Sequence, residues 1–119
     1  MADLTRKDVI MVLAATEHAR LAGVDFSGLD LSGLNFSGAD LIRANFAGAN
    51  LTSAYMRHAQ LEDANMEGAI LVNANLKEAN LKGCKLRHAR LKGAMLTDAN
   101  LFKADVSDEA LNEAIGALR

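Results

Sequence analysis

The chain of 119 residues contains no proline, no tryptophan, one cysteine and only 4% aromatic residues. A lone thiol, Cys84, closes no internal disulfide and builds no thiolate zinc cluster, so packing alone must hold the fold. Neither sign of charge dominates: 13 Lys and Arg stand against 15 Asp and Glu, a formal net charge of −2. That balance excludes the strongly basic character of a dedicated nucleic-acid binder. No apolar run approaches the ~20 residues a membrane span requires. The run from Val9 to Ala15 is short and is followed by Glu17 and His18, unlike a secretory signal. These absences predict a cytoplasmic chain of one domain, with no room for a catalytic domain plus a regulator. What is present suffices to fold: 50% of residues are hydrophobic and 24% are charged, with a mean hydropathy of +0.05.

The dominant feature is a repeat. From Phe26 onward every fifth residue is apolar: Phe26, Leu31, Phe36, Leu41, Phe46, Leu51, Met56, Leu61, Met66, Leu71, Leu76, Leu81, Leu86, Leu91, Leu96, Leu101 and Val106. Seventeen such hits arise by chance about once in 10⁵ sequences of this composition. Two residues before each central residue sits a small one, alanine at thirteen positions from Ala39 to Ala104 and Cys84 at one. Val24, Leu29 and Leu34 hold that place in the first three units, and Asp or Asn stands between small and central residues at eleven. The sequons at Asn35 and Asn50 are by-products of this pattern.

A period of five matches neither the 3.6 of a helix nor the 2 of a strand, so the backbone must turn once per unit. If each unit forms one side of a square, four units close a coil of about twenty residues with the central and small side chains on its axis. Stacked coils would lie about 4.8 Å apart, satisfying each other's backbone groups. The second residue after each central one is glycine at 28, 33, 38, 48, 68, 83 and 93, as the positive φ of a type II turn demands. Asp63, Asn73, Asp98 and Asp108 take the same place.

Units such as Ala39-Asp40-Leu41-Ile42-Arg43 and Ala74-Asn75-Leu76-Lys77-Glu78 resemble the pentapeptide-repeat family, and the resemblance covers residues 24–108. It implies an all-β solenoid: a right-handed quadrilateral β-helix of about four coils whose interior is filled by Leu/Phe and Ala ladders. Tyr55, Ile70, Lys85, Arg90 and Met95 depart from the Asp/Asn position. The same resemblance implies an alternative role, because some members imitate duplex DNA and bind type II topoisomerases such as DNA gyrase. Such mimics are long and uniformly negative rods, which this chain is not.

A solenoid exposes core and unpaired backbone at its ends, so capping helices are expected over 1–23 and 109–119. Thr5 and Asp8 form a capping-box pattern, residues 6–21 are strong helix formers, and Gly23 is the stop. Val9, Ile10, Leu13 and Leu21 make one apolar face and Met11, Val12, Ala15 and Ala19 another. Ser107, followed by Asp108 and Glu109, begins the second helix, whose stripe is Ala110, Leu111, Ala114, Ile115 and Leu118.

The repeat argues against an enzyme. Its axis is filled at every level, leaving no lumen for a substrate. His58 and His88 lie one and a half coils apart on opposite sides, so they build no metal site with His18, and Glu62, Asp63 and Glu67 sit on a solvated edge. Cys84 points inward and should be inert. No cofactor, metal or catalytic residue is expected. Ladders twenty residues apart order the surface, and one of them places Glu62 beside Lys82 as a surface pair. Residues 74–93 hold Lys77, Lys82, Lys85, Arg87, Arg90 and Lys92 against the single acid Glu78, making that coil a basic belt. Tyr55 with Met95, and Ile70 with Val72, are candidate apolar contacts. The expected role is a non-enzymatic protein-interaction module, with a protein rather than nucleic acid or membrane as partner and an end cap or exposed ladder available for a homodimer.

Overall fold

The computed structural model describes residues 3–117 as a short rod of 35 × 25 × 21 Å. Its repeating contact is a parallel bridge between residues twenty apart, in four ladders. They run Arg20–Asp40–Gln60–Asn80–Asn100, Asp25–Asn45–Asn65–Lys85–Asp105, Asp30–Asn50–Ile70–Arg90 and Asn35–Tyr55–Asn75–Met95, the last ending on Ile115. We name the four sides of the rod by the first residue of each ladder. The bridges are isolated rather than gathered into long strands, because a turn interrupts the extended backbone every five residues. In each turn the N–H of the small residue donates to the carbonyl of the preceding central residue, as Ala44 does to Leu41 at 3.0 Å.

The second residue after each central one has positive φ throughout the coils. Eight glycines from Gly23 to Gly93 take this conformation, as do Arg43, Ser53, His58, Asp63, Asn73, Glu78, His88, Asp98 and Lys103. Asp108 does not, since it is the first residue of a helix. Glycine matters most where the coil above intrudes: a Cβ on Gly93 would strike Asn73 Oδ1, and one on Gly38 would lie 2.5 Å from His18 Nδ1.

The Asp/Asn position has a local cause. From Asp25 to Asn100 each such side chain accepts from the N–H two residues on, a group the turn leaves without a backbone acceptor: Ala47 to Asn45 at 2.9 Å, Thr52 to Asn50 at 3.0 Å, Lys82 to Asn80 at 3.1 Å. Inside, the central residues from Phe26 to Val106 are all buried, with Ala39 to Ala94 and Cys84 between them, and no polar or charged residue is buried among the described residues. Phe26 and Phe46 stack at 4.8 Å, and Phe36 meets both edge-on at 5.9 Å. This aromatic group fills the first two coils, where Val24, Leu29 and Leu34 replace alanine and stay half-buried.

Both ends differ from the sequence reading. Helix α1 spans Arg6–Ala15, not 6–21. Thr16 is extended, and Ala19-Arg20-Leu21-Ala22-Gly23 forms one more repeat, with Ala19 and Leu21 buried and Gly23 at φ 72°. The alanine, leucine and glycine spacing of that unit was already in the sequence, masked by helix-forming residues. The capping box of Thr5 and Asp8 is present. Only Val9 of α1 is fully buried, while Ile10, Met11 and Val12 face outward. Helix α2 spans Asp108–Glu113, with Ser107 Oγ accepting from Ala110 N–H at 3.1 Å. Ala114 then ends it, and Ile115 returns to the coil path, accepting from Leu96 N–H at 2.8 Å and donating to Ala94 at 2.8 Å. Ile115 is therefore exposed rather than part of an inward helical stripe, because the open ladder below Met95 takes its backbone. Leu118, with Met1, Ala2 and Arg119, lies outside the described residues.

Candidate interaction surface

The four-sided path divides the basic belt. Lys77 lies on the Asn35 side and Lys82 on the Arg20 side, away from the others. Lys85 and Arg87 lie on the Asp25 side, and Arg90 and Lys92 follow on the Asp30 side, around the corner made by His88. All four are exposed, as is His88. Two adjacent faces of one coil thus carry four cations. Their single ion contact among the described residues is Arg87 Nε to Asp105 Oδ2 at 3.9 Å, between side chains 64% and 62% exposed. Such a contact in water contributes little, so the positive charge stays available to a partner.

Directly above Arg90 and Lys92 in the stack stand Ile70 and Val72, both half-buried. This pairing of an apolar step with a cationic one is the part the sequence did not deliver: the twenty-residue ladder aligns the four residues, but their common surface emerges only once the path around the corner is fixed. A second charged group lies one coil apart on the Asn35 side, around Glu78. Glu78 receives Arg57 Nη2 at 3.3 Å and His58 Nε2 at 2.9 Å. Glu62 does not pair with Lys82 as the ladder suggested; it accepts from the amide of Asn80, in the next coil, at 2.6 Å.

Burial, and secondarily the charge of Asp63, pushes the Cys84 thiol up to about 12, so it stays protonated and packs as a small apolar residue. No group of three or more His, Cys, Asp or Glu among the described residues is placed to hold a metal ion. No helix of the described residues is long and apolar enough to cross a membrane.

The family profile for pentapeptide repeats matches residues 19–57, 30–68 and 74–108 in eight copies. The chain belongs to the pentapeptide repeat family. Members of this family form right-handed quadrilateral β-helices and are generally non-enzymatic structural or interaction modules. This pentapeptide repeat protein is similar to the crystal structure of Rfr23, a pentapeptide repeat protein from the cyanobacterium Cyanothece 51142. The TM-score is 0.63 at 27% identity, over 84% of this chain and 62% of that one. It is similar to HetL, a pentapeptide repeat protein involved in heterocyst differentiation regulation from Nostoc sp. strain PCC 7120 (TM-score 0.46, 27% identity, 87% of this chain and 50% of that one). QnrB1, a plasmid-mediated fluoroquinolone resistance protein, shares the fold at 22% identity (TM-score 0.50, 75% of this chain and 51% of that one). The chain thus spans between 50% and 62% of the length of these relatives. No curated protein sequence matches it.

Proposed function

We propose that this pentapeptide repeat protein is a non-enzymatic interaction module that docks an acidic protein partner on the edge between its Asp25 and Asp30 sides. The observation that carries the reading is the placement of Lys85, Arg87, Arg90 and Lys92 on two adjacent faces of one coil, exposed and, among the described residues, joined to acid by one contact of 3.9 Å. Ile70 and Val72 add apolar area beside them. The rod of about four coils is rigid because its core is close-packed, so little ordering cost opposes binding. Lys77 and Lys82, on the other two sides, stand outside this surface.

The experiment is a capture of partners from lysate with the native chain and two charge-reversed variants. Replacing Lys85, Arg87, Arg90 and Lys92 by Glu should abolish retention of an acidic protein, while replacing Lys77 and Lys82 by Glu should leave it. Equal retention by all three chains would remove the reading. Imitation of duplex DNA toward a type II topoisomerase calls for a uniformly negative rod, and the exposed cations oppose it. A DNA gyrase supercoiling assay is accordingly expected to proceed unchanged in the presence of the protein.

A further inference from the structure

Six large apolar side chains stay exposed among the described residues, and three of them are consecutive in α1: Ile10, Met11 and Val12. The helix lies over the first coils. Arg6 stands above the carbonyl oxygens of Asp30 and Ser32, 2.9 Å from each, Val9 is buried, and Leu13 packs partly against the core. With these three on the inner side, a turn of about 100° per residue puts Met11 on the outer crest and Ile10 and Val12 on its two flanks. Their exposures agree: 42% for Ile10 and for Val12, and 63% for Met11. The crest continues to Lys7 in one direction and to Ala14 and Ala15 in the other, all exposed. Because the carbonyls under Arg6 point to where a further coil would stack, the crest faces out along the rod axis.

The charges of this segment are few and nearly balanced. Arg6 is held by Asp30 and Ser32, and the Asp8 carboxylate accepts from the N–H of Thr5 at 2.9 Å. Lys7 and Glu17 are exposed and make no ion pair among the described residues. Lys7 stands at one end of the apolar crest and Glu17 follows the other, where the last turn of α1 holds no basic residue. The carbonyl end of a helix favours a cation, and this helix supplies none to its own. The pattern is complementary to itself. An antiparallel second copy sets Met11 on the small Ala14 and Ala15 of the facing helix and brings Lys7 to that helix's C-terminal end, beside Glu17, and each contact occurs twice about one two-fold axis. A membrane fits less well, since an interfacial helix flanks its apolar face with Lys and Arg, whereas here Asp3, Asp8 and Glu17 outnumber Arg6 and Lys7.

We infer that α1 is a self-association surface, which packs antiparallel on α1 of a second copy and joins two rods end to end. One helix of 10 residues per copy covers far less than the ~800 Å² per partner of a standard interface. The dimer is therefore weak, with a Kd of about 0.1 mM. The two rods point away from each other, so the edges from Lys85 to Lys92 stay free at the far ends and a bivalent partner meets two of them. The inference is independent of the docking surface proposed above, because α1 lies at the opposite end of the rod.

The test is sedimentation equilibrium of the full chain from about 5 µM to about 1 mM. The mass is expected to rise from 12.7 kDa toward twice that value and to stop there. Met11→Glu keeps a helix former at an exposed site and should hold the chain at 12.7 kDa throughout, with an unchanged urea midpoint. Lys7→Glu and Glu17→Lys each improve the charge at their own end of α1, so neither unfolds it. Each should weaken the dimer about fivefold, and the chain carrying both should recover most of the affinity, because the contact reforms with its signs exchanged. Phe102→Asp, exposed at the other end of the rod, should dimerise as the native chain does. A constant 12.7 kDa up to about 1 mM, a Met11→Glu chain that dimerises like the native one, a double variant no better than either single one, or a mass that climbs past two copies overturns the inference. If the native chain instead stays monomeric and floats with phosphatidylcholine vesicles, the face belongs to a membrane and the inference falls.

Discussion

Gln60 is one methylene too long for its place. Asn45 and Asn50 accept the N–H two residues ahead, but Glu62 N–H has no such acceptor. Gln60→Asn should restore it and raise stability by about 0.5–1.5 kcal/mol, read as a higher urea midpoint at unchanged slope. The turn position separates two effects of a side chain. Gly48 and Gly93 both have positive φ, 66° and 71°, but a Cβ on Gly48 meets nothing and one on Gly93 meets Asn73. Gly48→Ala should cost about 1 kcal/mol from the backbone alone. Gly93→Ala should cost measurably more, and equal losses would show that Asn73 simply moves away. In the lumen, Leu71 is fully buried, so Leu71→Asp, which places an unpaired charge there, should abolish cooperative folding. A β-rich circular dichroism spectrum that survived this change would contradict the register. Thr52→Asp, at a half-buried position, should cost far less and leave folding cooperative, losing chiefly the hydroxyl's bond to Asn50 Oδ1 at 2.6 Å.

The helices act through their caps rather than through amphipathic faces. Arg6 imitates a missing coil, supplying donors to Asp30 and Ser32 where no backbone does. Arg6→Ala leaves those carbonyls to water and detaches the start of α1. A loss of about 1–3 kcal/mol is expected, since the bonds come from a charged donor, with faster amide exchange confined to α1 and the first coil. Lys in place of Arg6 reaches at most one of the two carbonyls and should rescue only part. The apolar outer face of α1 explains why its sequence periodicity was unclear: only Val9 is fully buried, and Leu4 and Leu13 pack partly against the core.

For the whole molecule, charge alternates along the axis: residues 59–73 carry Glu62, Asp63 and Glu67, residues 74–93 form the basic belt, and residues 94–113 carry Asp98, Asp105, Asp108, Glu109 and Glu113 against Lys103. Three carboxyls near the N-terminal end of the rod are held below their usual range by hydrogen bonds: Asp8 by Thr5, Asp25 by Ser27, and Asp30 by Ser32 with a smaller contribution from Arg6. A carboxyl whose folded pKa is lowered stabilises the fold fully above its unfolded pKa, near 3.8. That contribution is lost as pH falls through the lowered folded value. Stability should therefore be flat from pH 7 to about 5 and decline below about pH 4, with α1 and the first coil opening first. Urea titrations at pH 6 and pH 3 followed by exchange at Val9 and Leu81 would show it, and uniform loss along the rod would contradict it. Salt should matter little to stability, because the ion pairs are exposed.

The period of five by itself determined the turn per unit, the inward identity of each central residue and the twenty-residue stack, because only one backbone path puts every fifth side chain on an axis. It did not determine the ends. Residues 19–22 are helix formers by propensity, yet they join the coil because Ala19 and Leu21 bury themselves there and Asp40 pairs with Ala19 and Leu21. Ile115 likewise leaves a helical stripe to satisfy Leu96 and Ala94. The surface divides in the same way. That residues 74–93 are basic was legible, but which four cations share an edge depends on the path around the His88 corner. Local pattern sets what each unit buries; only the closed coil decides which units become neighbours and which backbone groups are left without one.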